Sequence, residues 1–158
     1  MTGYVVLKWL HVLSSVLLVG TGFGSAFYLF FANRSGSIAA QAVVARLVMR
    51  ADTWFTTPAV IAQPITGLWL AHLAGWPLST PWLALAMALY LVAGACWLPV
   101  LWLQARMAAM AGDALRGNCA LPSRYWLHAR WWERLGYPAF TAMLVVYYLM
   151  VAKPPLWG

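Results

Sequence analysis

The chain has 158 residues, of which 64% are hydrophobic and 8% charged. A soluble domain carries about a quarter charged residues, so the composition excludes a water-soluble globular protein and points to one integral membrane domain over residues 1–158. The formal charge of +7 does not mark a nucleic-acid binder, because most basic residues flank apolar runs instead of massing on one water-facing surface. They read as topology signals and contacts to lipid headgroups.

The first apolar run, Val5 to Phe31, contains His11 and Gly20, Gly22 and Gly24. It is too long for a secretory h-region and reads as a retained anchor. Ile38 to Ala51 places Arg46 and Arg50 one turn apart behind an apolar face, the pattern of a helix lying among headgroups. The second run, Trp54 to Leu73, is interrupted by Pro58 and Pro64 and has His72 at its end. Gly75 to Pro81 is an uncharged turn. The third run, Trp82 to Met110, contains Pro99. Pro122 to Arg134 mixes Trp126, Trp131 and Trp132 with arginines, which suits a second headgroup helix. That surface is either a docking face for a partner or an aromatic belt anchor. The fourth run, Leu135 to Ala152, has Pro138 near its start. A span needs roughly 20 apolar residues. The expected fold is therefore all-α: a four-transmembrane-helix bundle, spans 5–31, 54–73, 82–110 and 135–152, with amphipathic interfacial helices in the two basic loops.

Charge sets the expected orientation. Arg34, Arg46 and Arg50 follow the first span, and Arg106, Arg116, Arg124, Arg130 and Arg134 lie from the end of the third span to the start of the fourth. Only Lys8 and Lys153 remain for the other side. The positive-inside rule then places both loops in the cytoplasm and both termini outside, as a multi-pass protein of a bacterial inner membrane. Cys96 and Cys119 fall at different depths, so no disulfide is expected between them.

The candidate site follows from this topology. His11 lies about two turns into the first span and His72 closes the second at the same face. Ionisable groups in lipid are costly and mark function. Haem b needs axial nitrogens, a flat apolar slot and something polar near its propionates. His11 and His72 are the expected axial ligands to the iron. Ser15, Gly22 and Gly67 would give room, and Lys8, with Lys153, would meet the propionates. Trp9, Trp69, Trp82, Tyr90, Tyr147 and Tyr148 are candidate walls. Each has a plainer alternative: His72 as an interface residue, Lys8 as a snorkelling cation, and the glycine run as a helix-packing seam. His128 reads as an interfacial histidine and Arg106 as a lipid-phosphate contact. Asp52, Asp113 and Glu133, the only acids, all fall on the cytoplasmic side. The spans then lack a carboxylate for proton-coupled transport. No Walker loop, Cys-x-x-Cys or His-Glu-x-x-His motif is present, and no catalytic residue is assigned.

Three stretches carry a resemblance over nearly the full length: Leu7-Lys8-Trp9-Leu10-His11-Val12 with the glycines that follow, Thr56-Thr57-Pro58 with Gln63-Pro64, and Ala95-Cys96-Trp97-Leu98-Pro99. On these the chain resembles the bacterial integral membrane family called domain of unknown function 2269, whose name implies no activity. The first span is also similar to the opening of HemJ-type protoporphyrinogen oxidases, a resemblance that implies His11 as an axial haem ligand. The Tyr-Leu-Pro-Arg stretch of that family is missing, so porphyrinogen oxidation is not carried over. A more distant likeness is to the membrane part of copper-resistance D-type proteins and to membrane urate oxidases.

The expected function is a haem b membrane protein, transferring electrons or acting as a membrane oxidoreductase. The alternatives are a non-enzymatic anchor or assembly subunit, and a small-molecule or metal permease. Membrane lipids are the expected partners, together with a second copy of the chain or a membrane redox partner, and no nucleic acid.

Overall fold

The computed structural model describes residues 2–156, which form five helices: α1 (Thr2–Arg34), α2 (Ile38–Ala51), α3 (Thr57–Leu73), α4 (Pro81–Arg116) and α5 (Ser123–Ala152). Three are long and apolar enough to cross a membrane: Gly3–Arg34, Pro81–Arg116 and Ser123–Ala152. The second expected span, 54–73, corresponds to α3, with 17 residues, which is shorter than the other three.

Local chemistry sets the boundaries. Gly36 takes the left-handed conformation at φ 70°, and Ser37 caps α2 by accepting from the Ala40 amide at 3.2 Å. At the far end of α3, Gly75 is left-handed at φ 71°. The Trp76 amide donates to the Ala71 carbonyl and the Gly75 amide to the His72 carbonyl. This doubly bonded ending satisfies carbonyls the helix would otherwise leave open. Pro81 then starts α4, where its missing N–H costs nothing.

The basic loops depart from expectation. α2 forms over the expected residues, Ile38–Ala51, but does not stand apart as a separate loop helix. It runs into α3 through a π turn, Asp52–Thr56, with helical backbone throughout. A proline ring clashes with the carbonyl four residues earlier, and the wider π turn precedes Pro58, where it relieves that clash. Pro122 to Arg134 is likewise no separate helix. It is the first part of α5, which continues through Pro138. The reason is packing: Tyr125, His128, Trp132, Ala142, Val146 and Leu149 are all buried, and these positions repeat at helical spacing along one stripe. The packing of α5 along α4 holds the helix together across a proline that would break it in isolation.

The helices associate as two pairs. α1 lies along α2 and α3, and α4 lies along α5. The pairs meet at the arginine-bearing end through Leu29, Ala45, Val48, Leu103, Met107 and Tyr125. They meet again at the opposite end through Ala71, Trp82, Leu83, Ala86, Val146 and Leu149. Between these two cores the pairs leave a cleft, bridged by the stacked rings of Phe23 and Phe140, 5.1 Å apart, and by the Tyr90 hydroxyl, which donates to the Val60 carbonyl. Cys96 and Cys119 are both free.

Candidate functional site

His11 faces α3, and its surroundings define its state. Its Nδ1 lies 2.8 Å from the Thr66 hydroxyl, and that hydroxyl donates to the Ala62 carbonyl at 2.7 Å. Thr66 Oγ1 must therefore accept, so Nδ1 carries the proton and Nε2 the lone pair. Nε2 lies 3.4 Å from Gln63 Nε2, and the Gln63 side-chain Oε1 accepts from the Ser14 hydroxyl. The ring edge rests on Gly67, where an added Cβ would stand 3.0 Å from His11 Cε1. The imidazole is thus neutral, bonded on both nitrogens and closed over by α3.

His72 is not brought to it. His72 is exposed and contributes its main-chain carbonyl to the ending of α3. Five residues separate it from Gly67, which turns it about 140° around the helix from the face that meets His11. The two rings do not bracket a slot. Ser15 bonds the Val12 carbonyl of its own helix, and Lys8 is exposed. Lys153 stands over Trp76 and Trp82 at 5.8 and 5.7 Å. Trp9, Trp69 and Tyr148 face outward. These residues do not fit a haem held between two imidazoles, because the space against His11 is filled by Gln63, Thr66 and the backbone at Gly67. His128, expected among headgroups, is buried: its Nδ1 is 2.6 Å from the Arg124 carbonyl and its ring packs on Trp102 at 5.4 Å.

The open space lies elsewhere. A cavity of about 410 Å³ separates the two helix pairs in the gap between their cores. Its walls are mostly aromatic and aliphatic, with Phe23, Phe27, Tyr90, Trp97 and Phe140 among them. Gly22 of α1, Gly94 of α4 and Gly136 of α5 also line it, and a Cβ at each would meet nothing within 4 Å. Gly20 and Gly24 are equally open. The glycine run of α1 is therefore not a seam where two backbones close on each other, as small-residue motifs commonly are.

One part of the cavity is polar. Asp52 lines it and is 3% exposed, accepting from the Thr56 hydroxyl at 2.8 Å. Burial pushes its carboxyl above the ordinary carboxylate range, while Thr56 and Gln104 favour its charged form and offset part of that rise. Gln104 lines the cavity too, and its Oε1 is buried without a partner. Glu133, also in the lining, is held by Arg34 at 2.9 and 3.2 Å. Asp52 was expected in a solvated cytoplasmic loop. Its burial corrects that reading: Asp52 lies outside the expected span 54–73 but is packed into the bundle at the turn Asp52–Thr56.

The match of the whole chain to a protein family agrees with this architecture. Residues 5–154 match the family described as predicted integral membrane protein (DUF2269). The chain belongs to that family. No curated protein and no solved structure matches it.

For this family member the sequence carried a signal for Asp52. Gln41, Ala45 and Val48 are buried along α2, and Asp52 continues their spacing of three to four residues. Arg46 and Arg50 sit on the opposite, exposed face. An acid on the apolar stripe of a helix is a buried acid, even when arginines are its neighbours in sequence.

Proposed function

We propose that the protein holds a small lipophilic molecule in the cleft between its two helix pairs, at bilayer depth. Protein interiors are close-packed, with few voids larger than a water molecule, and small-molecule sites commonly measure roughly 300–1,000 Å³. The observation that carries the reading is the set of three glycines, Gly22, Gly94 and Gly136, which come from three helices and leave space in one cavity of about 410 Å³. An alanine Cβ at any of the three would meet nothing within 4 Å, so close helix packing is not what requires glycine there. α3 makes the fourth crossing, and the arginine-bearing end lies in the cytoplasm of a bacterial inner membrane. This is the small-molecule branch of the functions expected from sequence, with the site moved from His11 to the cleft.

The test is native mass spectrometry of the protein extracted from its membranes in mild detergent. The wild type should retain a non-covalent adduct that Gly94→Leu loses at unchanged thermal stability. A wild type without an adduct, or an adduct equally present in Gly94→Leu, contradicts the reading.

The electron-transfer reading, haem b on His11, has one observation on its side. His11 is a half-buried imidazole within a membrane helix, and such groups are functional by default. It has less support than the cleft, because no lysine, arginine or histidine lines the cavity.

A further inference from the structure

Resting on the reading of the cleft as a binding site, we propose that its occupant is a lipophilic amine whose ammonium group meets Asp52. The lining sets this chemistry. Among the described residues the ion pairs are Arg34 with Glu133 and Arg116 with Asp113, so Asp52 has no cationic partner. Gln104, 4% exposed, presents a buried Oε1 with nothing to accept from. Thr56 spends its proton on Asp52, and Tyr90 spends its own on the Val60 carbonyl at 2.7 Å.

Among the polar groups of the cleft, Gln104 Oε1 is an acceptor without a donor and Asp52 an acid without a cation. An ammonium group supplies three N–H donors and the missing positive charge. A carboxylate or phosphate head would face Asp52 with no free cation in the lining, since Arg34 beside it is already paired with Glu133, a like-charge arrangement in a site of low dielectric. A hydroxyl head satisfies Gln104 but leaves Asp52 without a counter-charge. The apolar walls take the alkyl part of the ligand, as in other small-molecule sites.

The experiment uses the full chain in phosphatidylcholine nanodiscs, with equilibrium binding of tritiated dodecylamine, dodecanol and dodecanoic acid, each corrected with empty nanodiscs. Dodecylamine should bind saturably and at least ten-fold more tightly than dodecanoic acid. Asp52→Asn should weaken dodecylamine at least ten-fold and leave dodecanol unchanged, and Gly94→Leu should abolish both. The wild-type comparison of amine with acid needs no variant, so it decides even if Asp52→Asn fails to fold. Binding that Gly94→Leu blocks but that favours the acid, or that ignores Asp52→Asn, overturns the amine assignment and spares the cleft. Binding of none of the three probes above empty nanodiscs, or binding insensitive to Gly94→Leu, overturns the cleft itself.

Discussion

His11 and Gly67 are fitted to each other: a Cβ at Gly67 would stand 3.0 Å from His11 Cε1, tighter than most Cβ contacts, so the ring would have to give way. Gly67→Val should therefore push the imidazole off Thr66 and Gln63. Overpacking of this kind costs roughly 1–3 kcal/mol, read as a drop of several degrees in the detergent-solubilised unfolding midpoint. His11→Ala should recover much of the loss in the double variant, since the two residues share one contact. Equal destabilisation by Gly67→Val with and without His11 would show that the two are not coupled.

Asp52 gives the ligand-free protein a pH dependence of defined sign. It lies in the π turn, outside the three long apolar helices, and burial raises its carboxyl pKa above the unfolded value of about 4. The folded state then binds the proton more tightly than the unfolded chain. The protein is at its full stability below the unfolded value, loses stability as pH rises from about 4, and levels off once the folded value is passed. Relative to Asp52→Asn, the wild-type midpoint should decline over that window. A wild-type-minus-variant difference that is flat with pH is incompatible with a buried, uncompensated acid.

Arg34 and Glu133 tie α1 to α5 with two parallel hydrogen bonds, at an end where the buried Tyr125 hydroxyl also donates to Asn33 Oδ1 at 2.6 Å. Their side chains are 48% and 22% exposed, so the pair contributes about 0.2–1 kcal/mol. Arg34→Glu should lower the unfolding midpoint, and adding Glu133→Arg should restore it. Raising salt should shrink the difference between wild type and Arg34→Glu. No recovery in the swapped variant would mean that the pair is incidental.

The geometry around His11 also makes an optical claim. Protein expressed with haem supplementation, purified and reduced with dithionite should show no haem b α-band. A band that disappears in His11→Ala would return the site to the first span and the reading to electron transfer.

Much of the architecture was legible in the sequence, and the reasons are physical. Long apolar runs announce membrane helices, Gly75 to Pro81 marks its own turn, and the Ile38–Ala51 boundaries follow from Ser37 and the apolar stripe. The fusion of Pro122–Arg134 with the last span was not legible, because Pro138 reads as a stop until α4 is known to pack along both halves. The candidate site was misread at two points. His11 and His72 were matched by depth, which residue counting gives, but not by azimuth, which decides whether rings meet. Asp52 was grouped with Arg46 and Arg50 by proximity in sequence, although its place on the stripe of Ala45 and Val48 turns it inward. The cleft has no sequence signature, since it is a space left between helices and depends on how they pack against one another.

The most direct test is an experimental density map of the protein purified with its native lipids. The account predicts elongated non-protein density between Gly22, Gly94 and Gly136, with its polar end at Asp52 and Gln104. Helix pairs closed against each other there, with side chains filling the space over those three glycines, would contradict it.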